Sequence, residues 1–75
     1  MTVNIKNINA IAAQYGLRLV KDWSCFNWRP TTADRTVFSV SASVSGTVIT
    51  DRSWAEWMAE LDNIVARIAD RKAVA

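Results

Sequence analysis

Residues 53–72, SWAEWMAELDNIVARIADRK, carry apolar side chains at steps of three and four positions. This spacing places the apolar side chains along one side of an amphipathic helix. They are Trp54, Trp57, Met58, Leu61, Ile64, Val65 and Ile68. A helix of this length extends about 30 Å, which is enough to cover one face of a small domain. We expect the rest of the chain to be organised around this helix.

Residues at both ends of this predicted helix favour a helix start and a helix end at these positions. Ser53 and Glu56 form an S-x-x-E pair, in which each side chain accepts a hydrogen bond from the backbone N–H of the other residue. Arg71 and Lys72 place positive charge at the negative end of the helix dipole. The sequence therefore predicts a helix over residues 53–72.

The chain is short and rich in apolar residues. It has 75 residues, of which 51% are hydrophobic, with four tryptophans and one cysteine. This composition predicts a single domain over residues 1–75 that is held by packing, because one cysteine cannot form an intramolecular disulfide. No apolar run is long enough to span a bilayer, and the N-terminus does not resemble a signal peptide. We expect a cytoplasmic protein that does not bind membranes.

The first part of the chain predicts a second helix and a strand. Apolar residues recur at helical steps over residues 5–15, with Asn4 or Asn7 as the cap and Gly16 as a left-handed stop. Residues 17–28 are aromatic and branched, without helical spacing, which favours a strand.

Neither face of that strand would be uniformly apolar, so we expect a bulge or a tight turn near Lys21 and Asp22. Pro30 should stop regular pairing because it has no N–H to donate. Residues 29–35 are predicted to form a polar loop.

The middle of the chain predicts two further strands. Residues 36–44 alternate apolar residues with serine, which is typical of a half-buried antiparallel strand with one wet face. Ser45 and Gly46 supply a two-residue turn into a short strand over residues 47–50. The predicted fold is therefore an α+β two-layer sandwich of α-β-β-β-α order. In it, two helices cover a three-stranded antiparallel meander.

The residues that usually carry catalysis are scarce in this sequence. It has no histidine, the side chain most often used as a general base and a common zinc ligand. Cys25 has no histidine to activate it, so we interpret it as a small buried apolar residue. Neither of the standard glycine-rich phosphate-binding loops is present. We expect a non-enzymatic protein with no metal and no cofactor.

Aromatic and basic residues interleave before the middle of the chain. Single-stranded nucleic acid is bound by rings that stack on bases and by cations that follow the phosphates. The candidate residues for such binding are Lys21, Trp23, Phe26, Trp28, Arg29 and Arg35. The alternative interpretation places the three aromatic rings in the core, with room for one to face outward because strand positions alternate. Residues 1–35 carry a net charge of +3 and residues 36–75 a net charge of −1. This asymmetry is typical of ordinary solubilising charge, and the alternative interpretation is an acidic or phosphate-bearing partner on the first half.

Tryptophans at the start of the last helix suggest a protein interface. Trp54 and Trp57 close the end of the core, or else part of their surface meets another molecule, because tryptophan and arginine are favoured at interfaces. The candidate protein-contact residues are Trp28, Arg29, Arg35, Trp54 and Trp57. The same helix face could also extend into a symmetric homodimer.

The order helix, three strands, helix resembles the double-stranded RNA-binding domain in topology. That family carries a lysine-rich K-K-x-A-K run at the start of its last helix, where residues 53–57 here read SWAEW. The phosphate clamp of that family is therefore missing, so we do not expect this chain to bind RNA in the same way.

In its small size and its lack of catalytic residues, the chain also resembles phage-encoded inhibitor or accessory proteins, including anti-CRISPRs. The sequence predicts a small protein-interaction module that blocks a surface of a larger complex, with a nucleic-acid-binding domain as the alternative.

Overall fold

The computed structural model describes residues 2–33, 42–46 and 48–74. Its helices and strands, in chain order, are α1 (Ile5–Ala12), β1 (Leu17–Lys21), β2 (Cys25–Pro30), β3 (Ala42–Ser45) and α2 (Trp54–Val74). Short 3-10 turns follow α1 at Ala13–Tyr15 and precede α2 at Ile49–Asp51.

The three described strands form an antiparallel sheet in the order β1-β2-β3. Leu19 lies opposite Trp28 in the first pair of strands, and Phe26 lies opposite Val44 in the second pair. The architecture of helix, three-stranded antiparallel sheet and helix confirms the predicted α+β fold and its meander topology.

One cluster of buried apolar side chains draws on both helices and all three described strands. Its members are Ile8, Ala12, Leu17, Leu19, Phe26, Trp28, Val44, Trp57, Leu61, Ile64 and Ile68. Because α1 and α2 pack against the same apolar side of the sheet, the fold has two layers, and no helix or strand of the described residues covers the other side. The apolar side predicted for the last helix is the side that packs against the sheet. Trp54, Met58 and Val65 are partly buried at the margins of that side.

The strand predicted over residues 17–28 is in fact the β1–β2 hairpin. In a continuous strand Leu19 and Trp28 would point to opposite faces, because successive side chains alternate. A turn at residues 22–24 reverses the chain and brings both side chains to the core. The tight turn expected near Lys21 and Asp22 is confirmed, and the single long strand is wrong.

Pro30 ends β2 without disturbing its pairing with β1. It lies opposite Leu17, and the adjacent backbone bond runs from the Thr31 N–H to the Gly16 carbonyl at 2.8 Å. Donors alternate along an antiparallel strand, so this ladder needs no N–H from position 30. Residues 29 and 30 therefore belong to a strand, where the sequence predicted a loop.

The strand predicted over residues 36–44 is only partly described. Residues 36–41 lie outside the described residues, and residues 42–44 fall in β3. The alternation continues there as predicted, since Val44 is buried while Ser43 and Ser45 are exposed.

Residue 47, the first of the short strand predicted over residues 47–50, lies outside the described residues, and residues 48–50 form no strand. The Asp51 N–H donates to the Val48 carbonyl at 3.1 Å and closes a 3-10 turn. The Ile49 carbonyl accepts a hydrogen bond from the Trp57 indole Nε1 at 2.8 Å, which ties this turn to α2. The predicted strand is therefore wrong at its described positions.

Local capping sets both ends of the first helical segment. The Asn4 side chain accepts a hydrogen bond from the Asn7 N–H at 2.7 Å, which identifies Asn4 as the cap. Gly16 follows the 3-10 turn with φ +73°, the left-handed conformation that was expected of it. A Cβ atom at this position would lie 3.0 Å from Thr32 Cγ2, so a larger residue would also require the Thr32 side chain to shift by a few tenths of an ångström.

Both bonds of the predicted capping box are present at the start of α2. The Ser53 N–H donates to Glu56 Oε1 at 3.0 Å, and the Glu56 N–H donates to Ser53 Oγ at 3.2 Å. Arg52 precedes the cap, and its guanidinium lies 5.8 Å from the centroid of the Trp57 ring. Arg52 also lies 3.7 Å from Glu60 and donates to the Ser45 carbonyl at 3.3 Å, which connects β3 with α2.

Candidate functional site

The four tryptophans have very different environments. Trp28 and Trp57 are each 1% exposed, and Trp54 is partly buried against the core. Trp57 packs edge-on against Phe26 and Trp28, with ring centroids 5.2 and 6.4 Å away. Trp23 is 99% exposed. A large apolar ring that is left wholly in water by a folded domain is a candidate contact residue.

Trp23 lies at the tip of the β1–β2 hairpin, where backbone bonds hold the turn. The Asp22 N–H donates to the Cys25 carbonyl at 2.9 Å, so the turn is closed immediately around Trp23 and Ser24. The Gly46 N–H donates to the Ser24 carbonyl at 3.1 Å and ties the turn to the end of β3. The ring is therefore presented by a backbone that is fixed at both ends of the turn.

Beside this tip, the side of the sheet that faces away from the helices forms a second surface. We call this surface the open sheet face. Its side chains are those that alternate with the core residues along the strands, namely Arg18, Val20, Cys25, Asn27, Arg29, Ser43 and Ser45. None of these seven is aromatic, and the two charged side chains among them are both arginines.

Hydrogen bonds connect side chains across the open sheet face. The Ser43 hydroxyl donates to Asn27 Oδ1 at 2.6 Å, and Asn27 Nδ2 donates to Asp22 Oδ2. The same carboxylate oxygen lies 3.6 Å from Arg29 Nη2. A chain of polar contacts therefore runs from β3 to Asp22, and Asp22 in turn holds one side of the Arg29 guanidinium.

Cys25 differs from its prediction as a small buried residue. It is half-buried on the open sheet face, with its Sγ 3.8 Å from Asn27 Nδ2. A continuous strand would place Cys25 on the same face as Leu17 and Leu19, but the hairpin turn shifts the alternation by one position and moves Cys25 to the opposite face.

Arg18 and Arg29 lie directly opposite each other on β1 and β2. Like charges in directly opposed positions destabilise a sheet. Asp22 offsets part of this repulsion from the Arg29 side, whereas Arg18 has no ion-pair partner among residues 2–33, 42–46 and 48–74. The open sheet face therefore keeps a net positive charge.

The structure separates the residues predicted for contact or nucleic-acid binding into two groups. Phe26, Trp28 and Trp57 are core residues, so their rings are not available to any partner of this fold. Lys21, Trp23 and Arg29 are exposed, and all three belong to the β1–β2 hairpin. Arg35 lies outside the described residues.

Arg18 and Asn27 were missed as site residues. Arg18 stands alone in the sequence, eleven positions before Arg29, and only the register of the hairpin brings the two together. Their shared face could have been found by placing Leu17, Leu19 and Trp28 on one side of a hairpin, because Arg18 and Arg29 then share the other side.

A groove of about 420 Å³ lies between the C-terminal half of α2 and the 3-10 turn after α1. Its walls include Tyr15, Val65, Ile68 and Ala69, and Tyr15 is 44% exposed. The groove is at the opposite end of β1 from Trp23, so it is separate from the hairpin tip.

The described residues show neither a metal-binding cluster nor a membrane-spanning helix. In the described parts of the chain, no three histidine, cysteine, aspartate or glutamate residues lie close enough to hold a metal ion. Neither helix, as far as it is described, combines the length and the apolar character needed to cross a bilayer.

No protein-family model, curated protein or solved structure matches this chain. The function is therefore inferred from the hairpin tip and the open sheet face themselves.

Proposed function

We propose that this chain is a non-enzymatic protein-interaction module that binds its partner through the tip of the β1–β2 hairpin, with Trp23 as the anchor. The observation that carries the proposal is the 99% exposure of Trp23 in a domain that buries Trp28 and Trp57 almost completely. Exposing the ring to water is unfavourable, and a partner pocket that receives it would recover that free energy. Tryptophan is also the residue type most enriched among binding hot spots.

The turn that carries Trp23 favours this role over simple surface exposure. Its backbone bonds to Cys25 and Gly46 limit the freedom of the chain before any partner is present. Less conformational entropy is then lost on binding, which strengthens an interaction without adding contacts. A protruding ring on a fixed hairpin fits a concave apolar pocket on a larger protein.

The proposed action is the blocking of a surface on a larger macromolecular complex in the cytoplasm, as an inhibitor or accessory protein of phage type. A domain of this size offers only a small contact area, so binding depends on a few strong anchors. Trp23 supplies the apolar anchor.

The test begins with capture of a stoichiometric partner from a lysate of the native host, followed by its identification and purification. Titration of the purified partner should then give binding that weakens about a hundredfold in Trp23→Ala. Tyr15→Ala is the matched control, because it removes another exposed ring at the opposite end of β1. Equal affinity of Trp23→Ala and the unchanged protein would refute the proposal, provided that circular dichroism shows both to be folded.

The second candidate function is nucleic-acid binding, which the exposed Lys21, Trp23 and Arg29 favour. The structure supports nucleic-acid binding less than the sequence did. Of the three aromatic rings predicted to stack on bases, Phe26 and Trp28 are buried, which leaves Trp23 for stacking. Single-strand binding surfaces stack successive bases on several rings and lose affinity steeply with salt. If micromolar protein leaves labelled single- and double-stranded oligonucleotides unshifted at low salt, this candidate is rejected.

A further inference from the structure

We infer that the open sheet face is a binding site for carboxylates, and that the partner places an acidic protein segment across the Arg18–Arg29 pair. This inference rests on the proposed function, since it specifies the chemistry of the partner surface beside the Trp23 pocket. Its basis is the register of the hairpin, which sets two exposed arginines side by side on the side of the sheet that faces away from the apolar core.

The geometry of the pair suits carboxylates. Side chains directly opposed on one face of a sheet have Cβ atoms about 5 Å apart, so both guanidinium groups can reach the same acidic group or two neighbouring ones. A guanidinium has five N–H donors in a planar fork that matches a carboxylate in a bidentate arrangement. Arg18 and Arg29 are both exposed, which leaves these donors accessible.

The polar contacts beside the pair position one of the two arginines. Asp22 accepts from Asn27 Nδ2 and lies 3.6 Å from Arg29 Nη2, while Asn27 is itself held by the Ser43 hydroxyl. The Arg29 side chain is therefore drawn toward the hairpin tip and loses less freedom when a ligand binds. The single carboxylate of Asp22 does not neutralise the two guanidinium groups of Arg18 and Arg29. The remaining positive charge can attract an acidic group of the partner.

Charge complementarity identifies the occupant as acidic, and the composition of the face favours protein over nucleic acid. Bases need rings for stacking, and none of the seven side chains of the open sheet face is aromatic. Carboxylates need only the guanidinium forks and the neighbouring hydroxyl and amide groups. An acidic peptide segment fits this surface better than a nucleic-acid strand does.

The experiment uses fluorescein-labelled hexaglutamate as the probe, with fluorescence anisotropy at low salt. The double variant Arg18→Gln/Arg29→Gln should weaken binding at least about tenfold, because it removes both charge-assisted contacts to the carboxylates. The matched control is Lys6→Gln/Arg67→Gln, which removes the same charge from exposed helix positions away from the open sheet face. The control should change the affinity for hexaglutamate by no more than about twofold.

Three results would overturn the inference. They are absence of saturable hexaglutamate binding, an equal loss in the control variant, and tighter arginine-dependent binding of labelled oligothymidylate than of hexaglutamate. Trp23→Ala separates this inference from the proposed function, because the variant should bind hexaglutamate unchanged while binding the protein partner about a hundredfold more weakly. If the partner binds through Trp23 but hexaglutamate does not bind, the inference fails and the proposed function stands.

Discussion

At the scale of single residues, burial decides what each tryptophan can do. Trp57 is buried with its indole Nε1 bonded to the Ile49 carbonyl at 2.8 Å, so it packs the core and also holds the turn before α2. Trp28 is equally buried, but its Nε1 has no hydrogen-bond partner among the described residues. A buried donor without a partner costs free energy, whereas a satisfied donor does not.

This difference predicts unequal costs for two identical substitutions. Trp57→Phe and Trp28→Phe both shrink a buried ring, but only Trp57→Phe also breaks a hydrogen bond and leaves the Ile49 carbonyl unpaired. We expect Trp57→Phe to lower the free energy of unfolding by about 1 kcal/mol more than Trp28→Phe does. Chemical denaturation of both variants measures the difference, and a larger loss in Trp28→Phe would contradict it.

At the scale of elements, each helix owes its start to a side chain next to it in sequence. The capping box at Ser53 and Glu56 pairs two backbone N–H groups that the first turn of α2 cannot pair by itself. Hydrogen bonds from the backbone and side chain of Ser53, and then the nearby Arg52, lower the pKa of Glu56. The charged form of the carboxylate is therefore the one that stabilises the helix.

This pKa shift predicts how the cap depends on pH. A carboxyl group whose pKa is lowered by folding contributes stability above its unfolded pKa, and that contribution is lost as the pH falls through the folded pKa. Ser53→Ala should lower the free energy of unfolding by about 1 kcal/mol at neutral pH. The stability difference between the unchanged protein and Glu56→Gln should shrink as the pH falls below the usual range for glutamate. Denaturation curves across this acid range give the measurement, and a pH-independent difference would refute the assigned role of Glu56.

At the scale of the whole molecule, a side chain from the helix layer covers one edge of the sheet. The Leu19 N–H donates to Asn9 Oδ1 at 2.6 Å, and Asn9 Nδ2 donates to the Leu19 carbonyl at 3.3 Å. The N–H and the carbonyl of Leu19 both point away from β2. Asn9 forms hydrogen bonds with both groups, as a neighbouring strand would. Unpaired edges invite pairing with a second chain, and this contact limits such pairing along β1.

Asn9→Ala tests this protection. Loss of two bonds at a part-buried edge should lower the free energy of unfolding by about 1–3 kcal/mol and favour self-association at high concentration. Asn63→Ala is the control, because Asn63 is exposed on α2 and its side chain makes no hydrogen bond within the described ranges. Light scattering coupled to gel filtration measures the association, and identical behaviour of the two variants would contradict the role given to Asn9.

Several features of this protein were determined by the sequence alone because their causes are local. The apolar spacing and the S-x-x-E pair predict α2, while Asn4 and Gly16 mark the ends of the first helical segment. The order of helix, strands and helix also follows from runs of neighbouring residues. In each case, the interacting groups are only a few positions apart.

Only the tertiary structure decided which residues face the core and which are exposed to solvent. The reversal at residues 22–24 places Leu19 and Trp28 on one side, leaves Trp23 at the tip, and sets Arg18 beside Arg29. A shift of one residue in the turn would exchange the two faces of β2, so the position of the turn decides which side chains share a face. The proposed contact surface therefore depends on strand register, which is set by strand pairing and by the packing of both helices on one side of the sheet.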